Sequence, residues 1–205
     1  MIVENEKYFI EIVQDESSED PRQMSDHMCT MLCGHRDYSL GDKTEINKKD
    51  FDNANDLEQY LYKNEGALVV QPLYLLDHSG LTIRTSRFFE DPQGWDTSFI
   101  GFIYVTRESL KNFWNKTNLT KSAREIIQNA IECEIAEYNQ YLSGDVYGYK
   151  MYEKKKCQYG QHLEEIDSCW GFYGMDSIES EAKALIGEQQ RNVKNVMVEV
   201  GILQI

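Results

Sequence analysis

The sequence predicts an α+β fold, with a mainly antiparallel sheet packed by one long helix and two or three short ones. Three observations carry that expectation. Several apolar runs are short and bounded by turn residues, as in KYFIEIV and SFIGFIYV. ALVVQPLYLL, the turn DHSG and the following LTIRTSR read as a hairpin. A single longer stretch, Lys121 to Leu142, has apolar residues three and four apart, the spacing of one buried helix face.

The elements follow in order. Lys7 to Val13 alternates and reads as a strand, and the acidic, turn-rich QDESSEDP after it as a loop. Asn55 is placed to cap a short helix from Asp56 to Lys63, which Gly66 ends. Ala67 to Leu76 is a strongly apolar strand whose Pro72 implies an edge or a bulge, and Leu81 to Arg87 is its hairpin partner. Ser98 to Val105 is a further strand, and Thr106 opens a helix through Trp114. Thr120 caps the long helix, with Ile127, Ile131, Ile135, Tyr138 and Leu142 as its buried stripe and Glu125, Glu132, Glu134 and Glu137 on the solvated face. Val146 to Tyr152 and Glu164 to Trp170 read as paired strands around the turn KKKCQYGQH. A helix over Ser177 to Gln190 and a strand over Val193 to Ile205 complete the chain. With no repeat, low-complexity tract or boundary signal, residues 1–205 read as one domain.

Composition narrows the function classes. Hydrophobic residues make up 41% and aromatics 12%, too many for a disordered chain. The start lacks the basic-then-apolar pattern of an export signal, and no apolar stretch approaches the roughly 20 residues of a membrane-spanning helix. Five cysteines cannot all pair within the chain, so the expectation is a cytoplasmic protein with free or metal-bound thiols. The net charge of −14, from 35 acidic and 21 basic residues, repels nucleic acid and anionic lipid and suits a basic partner surface.

The densest chemistry lies in HMCTMLCGH, residues 27–35, which holds two of the four histidines and two of the five cysteines. Zinc takes such ligands in tetrahedral geometry. The spacing matches no standard finger, so the reading is that Cys33 and His35 contribute two ligands and a distant segment the others. The alternative is that Cys29, Met31 and Cys33 are small core residues on a strand. Asp77 and His78 form a second candidate at a strand end, either as ligands or as a capped turn. Cys157, His162 and Cys169 form a third, across a hairpin. No phosphate-binding glycine loop and no G-x-S-x-G elbow is present.

The ordered series CGHRDYSLGD (33–42), LYLLDHSGLTIRT (73–85), WDTSFIGFIYVTRE (95–108), YNQYLSGDVYGY (138–149) and DSCWGFYG (167–174) resembles a family of proteins carried by bacteriophages, prophages and conjugative elements of Gram-positive bacteria. The resemblance covers most of residues 30–175. Cys33, His35, Asp42, Asp77 and His78 match its pattern, whereas Gly34, Asp37 and Ser39 depart from it. It implies one metal ion, expected to be Zn2+, held by His35 and His78 with Asp77, Cys33 and Asp42 as further ligands. It also implies a phage-encoded inhibitor of a host defence nuclease in the bacterial cytoplasm, of the anti-CRISPR type. Such a protein would be an acidic binding protein that blocks nucleic-acid loading by a basic partner, with the type II-A Cas9 effector as the expected target. It would have no catalytic residues and no direct contact with nucleic acid or membrane. The alternative reading is a small metal-dependent hydrolase or nuclease-like enzyme of a mobile element, built around the same ion.

Overall fold

The structure, a computed structural model, describes residues 1–24, 26–91 and 93–199. The α+β class holds, but the strands divide between two four-stranded antiparallel sheets instead of forming one. The chain separates accordingly into two compact units, one made of Met1–Ser18 with the chain from Gly144 onward, the other of Glu19–Ser143. Sequence periodicity identifies strands but carries no information about which sheet each one joins.

In the first unit the strand order is β1 (Ile2–Glu4), β2 (Tyr8–Gln14), β7 (Val146–Cys157) and β8 (Gly160–Tyr173). Helix α5 (Met175–Glu199) packs on one face of this sheet. Alternation along β2 sends Tyr8, Ile10 and Ile12 into the core beside Tyr149 and Met151 of β7. Ile178, Ala182 and Ile186, four residues apart on α5, close that core. The expected turn KKKCQYGQH is shorter than its polarity suggests. β7 runs to Cys157 and β8 begins at Gly160, leaving a two-residue connection. The strand expected from Val193 is corrected as far as Glu199, because α5 continues through it. No proline interrupts the helical ladder from Met175 onward, and adding residues to an existing helix is easier than starting a strand. The remaining six residues of that expectation lie outside the described residues.

Strand β8 is exposed from Gly160 to Gly171. Its Trp170 lies over Gly148 of β7, where a Cβ would collide with the indole and lie 2.8 Å from the Cys169 carbonyl oxygen. Gly148→Ala is therefore expected to lower stability by about 1–3 kcal/mol, the usual cost of forcing atoms into an occupied space. A shift in the urea midpoint checks this.

In the second unit the order is β3 (Thr30–Cys33), β6 (Thr97–Thr106), β4 (Ala67–Asp77) and β5 (Leu81–Arg84). Pro72 lies where β4 has only β6 as a neighbour, and a register shift follows at Leu73/Tyr74, so its missing N–H costs no ladder bond. Helix α4 (Lys121–Ser143) covers one face through Ile127, Ile131, Ile135 and Tyr138, packed with Leu73, Leu75, Ile83, Ile100 and Ile103. Asn139 of α4 clamps β5, accepting from the Ile83 N–H at 2.7 Å and donating to its carbonyl at 2.9 Å. Helix α2 (Ala54–Lys63) covers the other face, with Leu57 and Leu61 against Leu32, Phe102 and Tyr104. Its cap is Asn53, not Asn55: the Asn53 carboxamide oxygen accepts from the Asp56 N–H at 3.0 Å. Thr106 and Thr120 cap α3 (Arg107–Trp114) and α4 as expected, accepting from Ser109 and Ala123. The short helix α1 (Pro21–Met24) precedes β3. No described helix is long and apolar enough to cross a membrane.

Candidate interaction surface

The strongest polar constellation is one the sequence reading missed. Arg22 of α1 has a side chain only 1% exposed. Its Nε and Nη2 donate to the two Asp42 carboxylate oxygens, each at 2.7 Å, in a bidentate fork. Nη1 donates to Glu134 Oε2 and Nη2 also to the Cys29 carbonyl, both at 2.7 Å. The carboxylates are engaged on their far sides too. Glu134 Oε1 accepts the Met28 and Cys29 N–H groups at 3.0 and 3.1 Å, and Asp42 Oδ2 accepts the Met31 N–H at 2.8 Å. Burial alone would lower the Arg22 guanidinium, but Asp42 and Glu134 outweigh it and raise its pKa. Burial, reinforced by Glu134, pushes the Cys29 thiol up and away from the thiolate that metals prefer. The glycine before Asp42 is required: Gly41 has φ +72°, and a Cβ there would run into the Met31 carbonyl oxygen.

This staple corrects the placement of Glu134 on a solvated face, since its side chain is only 12% exposed. A signal was present in the sequence. Glu134 lies three residues after Ile131 and four before Tyr138, on the border of the buried stripe, where a carboxylate must find a partner. The partner's identity was not legible, because Arg22 lies 112 residues away.

The five residues expected to hold an ion are distributed as follows. Asp42 belongs to the staple. Cys33 ends β3 close to Gly41. His35 stacks on Tyr38, with ring centroids 5.0 Å apart and an interplanar angle of 21°. The Tyr38 hydroxyl donates to Asp77 Oδ2 at 2.8 Å, which holds that phenol above its ordinary pKa. His78 Nδ1 meets Asp96 Oδ2 at 2.8 Å, and the Asp77 N–H donates to the Asp96 carbonyl at 2.8 Å. The sheet thus gathers His35, Tyr38, Asp77, Asp96 and His78 along one end. Asp42 is engaged instead by Arg22 and the Met31 N–H. Among the described residues, no three His, Cys, Asp or Glu side chains are grouped to share an ion.

Asp96 also belongs to a loop that presents aromatic side chains. Phe88 is buried under the Arg84 guanidinium, 4.6 Å from its ring centroid, and anchors the loop. Its neighbour Phe89 is 89% exposed, and Trp95 is 84% exposed. Asp91 folds the segment back on itself: Oδ1 accepts the Gly94 N–H at 3.1 Å, and Oδ2 accepts the Asp96 N–H at 2.9 Å and the Thr97 hydroxyl at 3.1 Å. Two large rings therefore stand in water on a hydrogen-bonded frame, with Glu90, Asp91 and Asp96 around them. The loop also walls a cavity of about 500 Å³ with Tyr74, Arg87 and Phe99. Single exposed apolar residues are ordinary, whereas two large aromatics exposed within seven residues are of the type that anchors interfaces in general.

Partial burial would raise the Asp91 carboxyl, but the Asp96 and Trp95 N–H groups, the Thr97 hydroxyl and the Gly94 N–H outweigh it and lower it from 3.8. A depressed carboxylate stabilises the folded loop above its ordinary pKa, and that contribution is lost as pH falls through the depressed value. The loop is thus expected to keep its order at neutral pH and to loosen only below pH 3.8. Trp95 fluorescence checks this. Asp91→Asn should remove the acid transition, and a transition near pH 6 would assign it to another group.

Comparison with protein-family models, with curated proteins and with solved structures finds no match to the chain.

Proposed function

We propose that this chain is a phage-encoded inhibitor of a host defence nuclease, a binding protein of the anti-CRISPR type whose target is the type II-A Cas9 effector. The observation that carries the reading is a hydrogen-bonded loop segment exposing Phe89 and Trp95 among Glu90, Asp91 and Asp96, on a chain of net charge −14. Aromatic rings supply contact area at little entropic cost, and the surrounding carboxylates steer a basic partner and repel nucleic acid. A nuclease that loads nucleic acid carries a basic groove, which such a surface would occupy in its place. The resemblance of the five motifs to proteins of mobile elements supports the same reading.

The test is target-DNA cleavage by purified type II-A Cas9 with increasing amounts of this protein. Added before the guide and target, the protein is expected to stop cleavage at near-equimolar amounts. Added after target DNA is bound, it is expected to inhibit at least about tenfold less well. Full cleavage at a large excess of the protein would remove Cas9 as the target.

A further inference from the structure

A second cavity lies within the Glu19–Ser143 unit, between α2, β6 and the segment around the 3-10 turn Lys48–Asp50. Its volume is about 540 Å³, within the range of small-molecule sites. Tyr104 of β6 is buried, and its hydroxyl is bonded to Thr30, so its ring forms a fixed floor. Phe51 and Tyr60 meet edge to face, with ring centroids 5.1 Å apart, and supply an aromatic wall. Three carboxylates, Glu45, Asp50 and Glu65, complete the lining, to which the described residues contribute no Lys or Arg. None of the three takes part in an ion pair among the described residues. Glu65 and Tyr104 line the same cavity, so the carboxylate and the ring face one ligand space.

We infer that this cavity binds the guanidinium of an arginine side chain presented by a partner protein. The aromatic faces and the carboxylates suit the same ligand. A guanidinium is planar, weakly hydrated and always charged; it stacks on aromatic rings and offers a fork of donors to carboxylates. An ammonium is more strongly hydrated and cannot stack, so lysine suits the site less. A nucleotide or other anion is repelled by the acidic lining. The site is separate from the Phe89–Trp95 loop, and its chemistry does not depend on the target being Cas9.

The probe is N-acetyl-arginine methylamide titrated into the full chain, followed by the tyrosine ring resonances in NMR spectra, with the lysine analogue as comparison. Saturable shifts of Tyr60 and Tyr104 are expected, with a dissociation constant on the order of 1 mM, and binding at least about threefold weaker for lysine. Glu65→Gln, an isosteric change at a half-buried position, is expected to weaken binding by about tenfold. Tyr60→Leu is expected to weaken it by about threefold. Shifts that do not saturate, equal affinity for the lysine analogue, or unchanged affinity in Glu65→Gln would each overturn the inference. Because Glu65→Gln keeps shape and volume, it remains informative if Tyr60→Leu fails to fold. Arginine binding by a chain that leaves Cas9 uninhibited would refute the proposed target and uphold this site.

Discussion

Arg22→Ala is expected to destabilise the Glu19–Ser143 unit by about 3–5 kcal/mol, the cost of removing one partner from a buried ion pair. The loss would come less from the missing attraction than from what stays behind. Asp42 and Glu134 are held in place by the N–H groups of Met31, Met28 and Cys29, so neither carboxylate can swing out to water without abandoning backbone donors. Two charges would remain in a partly buried space with no cation between them. The Cys29 carbonyl would lose its donor as well. Glu134→Gln is the informative comparison. Its carboxamide oxygen can still accept from Met28 and Cys29, so its cost is expected to be smaller than that of Arg22→Ala. Urea unfolding followed by circular dichroism gives both values, with a lowered midpoint and an unchanged slope as the signature of lost stability. Equal, small effects for the two variants would show that the staple is not a main support of this unit.

Trp95→Ala combined with Phe89→Ala is expected to weaken binding to the target by at least about thirtyfold, equivalent to about 2 kcal/mol, the scale of an interface anchor. Both side chains are exposed, so stability is expected to change by no more than about 0.5 kcal/mol. The pairing of a large effect on affinity with almost none on stability distinguishes an interaction surface from a structural feature. Titration calorimetry and urea unfolding on the same preparation supply the two values. Wild-type affinity in the double variant would place the contact elsewhere on the acidic surface.

What could be read from the sequence followed from local physics. The β4–β5 hairpin, the Thr106 and Thr120 caps and the stripe on α4 each depend on residues close together in the chain, and all are found. The position of Pro72 was interpretable because a missing N–H restricts where a proline can sit. The strand expected from Val193 failed for a related reason: alternation over a few residues does not decide between strand and helix when an established helix arrives from upstream.

Long-range features were much less visible. HMCTMLCGH resembles a ligand cluster, yet the fold parts its members: His27 and Cys29 lie beside Glu134, whereas His35 turns to Tyr38. His27 Nε2 meets the Pro21 carbonyl at 2.8 Å, Cys29 is buried beside the staple, and His35 stacks on Tyr38. Proximity in sequence brought these residues to one strand and its flanks without bringing His35 to the Glu134 carboxylate that His27 and Cys29 share. Asp77 and His78 lie at one end of the sheet, where Tyr38 connects Asp77 to His35. Asp96, the partner of His78, had no local signature, because its role arises only where the 88–97 loop returns to β4. Phe89 and Trp95 fall in FEDPQGWD, which reads as a loop, but how far each ring is exposed depends on the way that loop is folded.

The affinity of this protein for type II-A Cas9, measured with the nucleic-acid channel empty and then filled, at two salt concentrations, separates the possibilities. If an acidic aromatic surface occupies a basic groove, binding to the empty form should fall at least about tenfold between roughly 50 and 200 mM salt, as contacts that replace nucleic acid do, and should be lost when guide and target are bound. An affinity indifferent to salt and to bound nucleic acid, or no affinity at all, would contradict it.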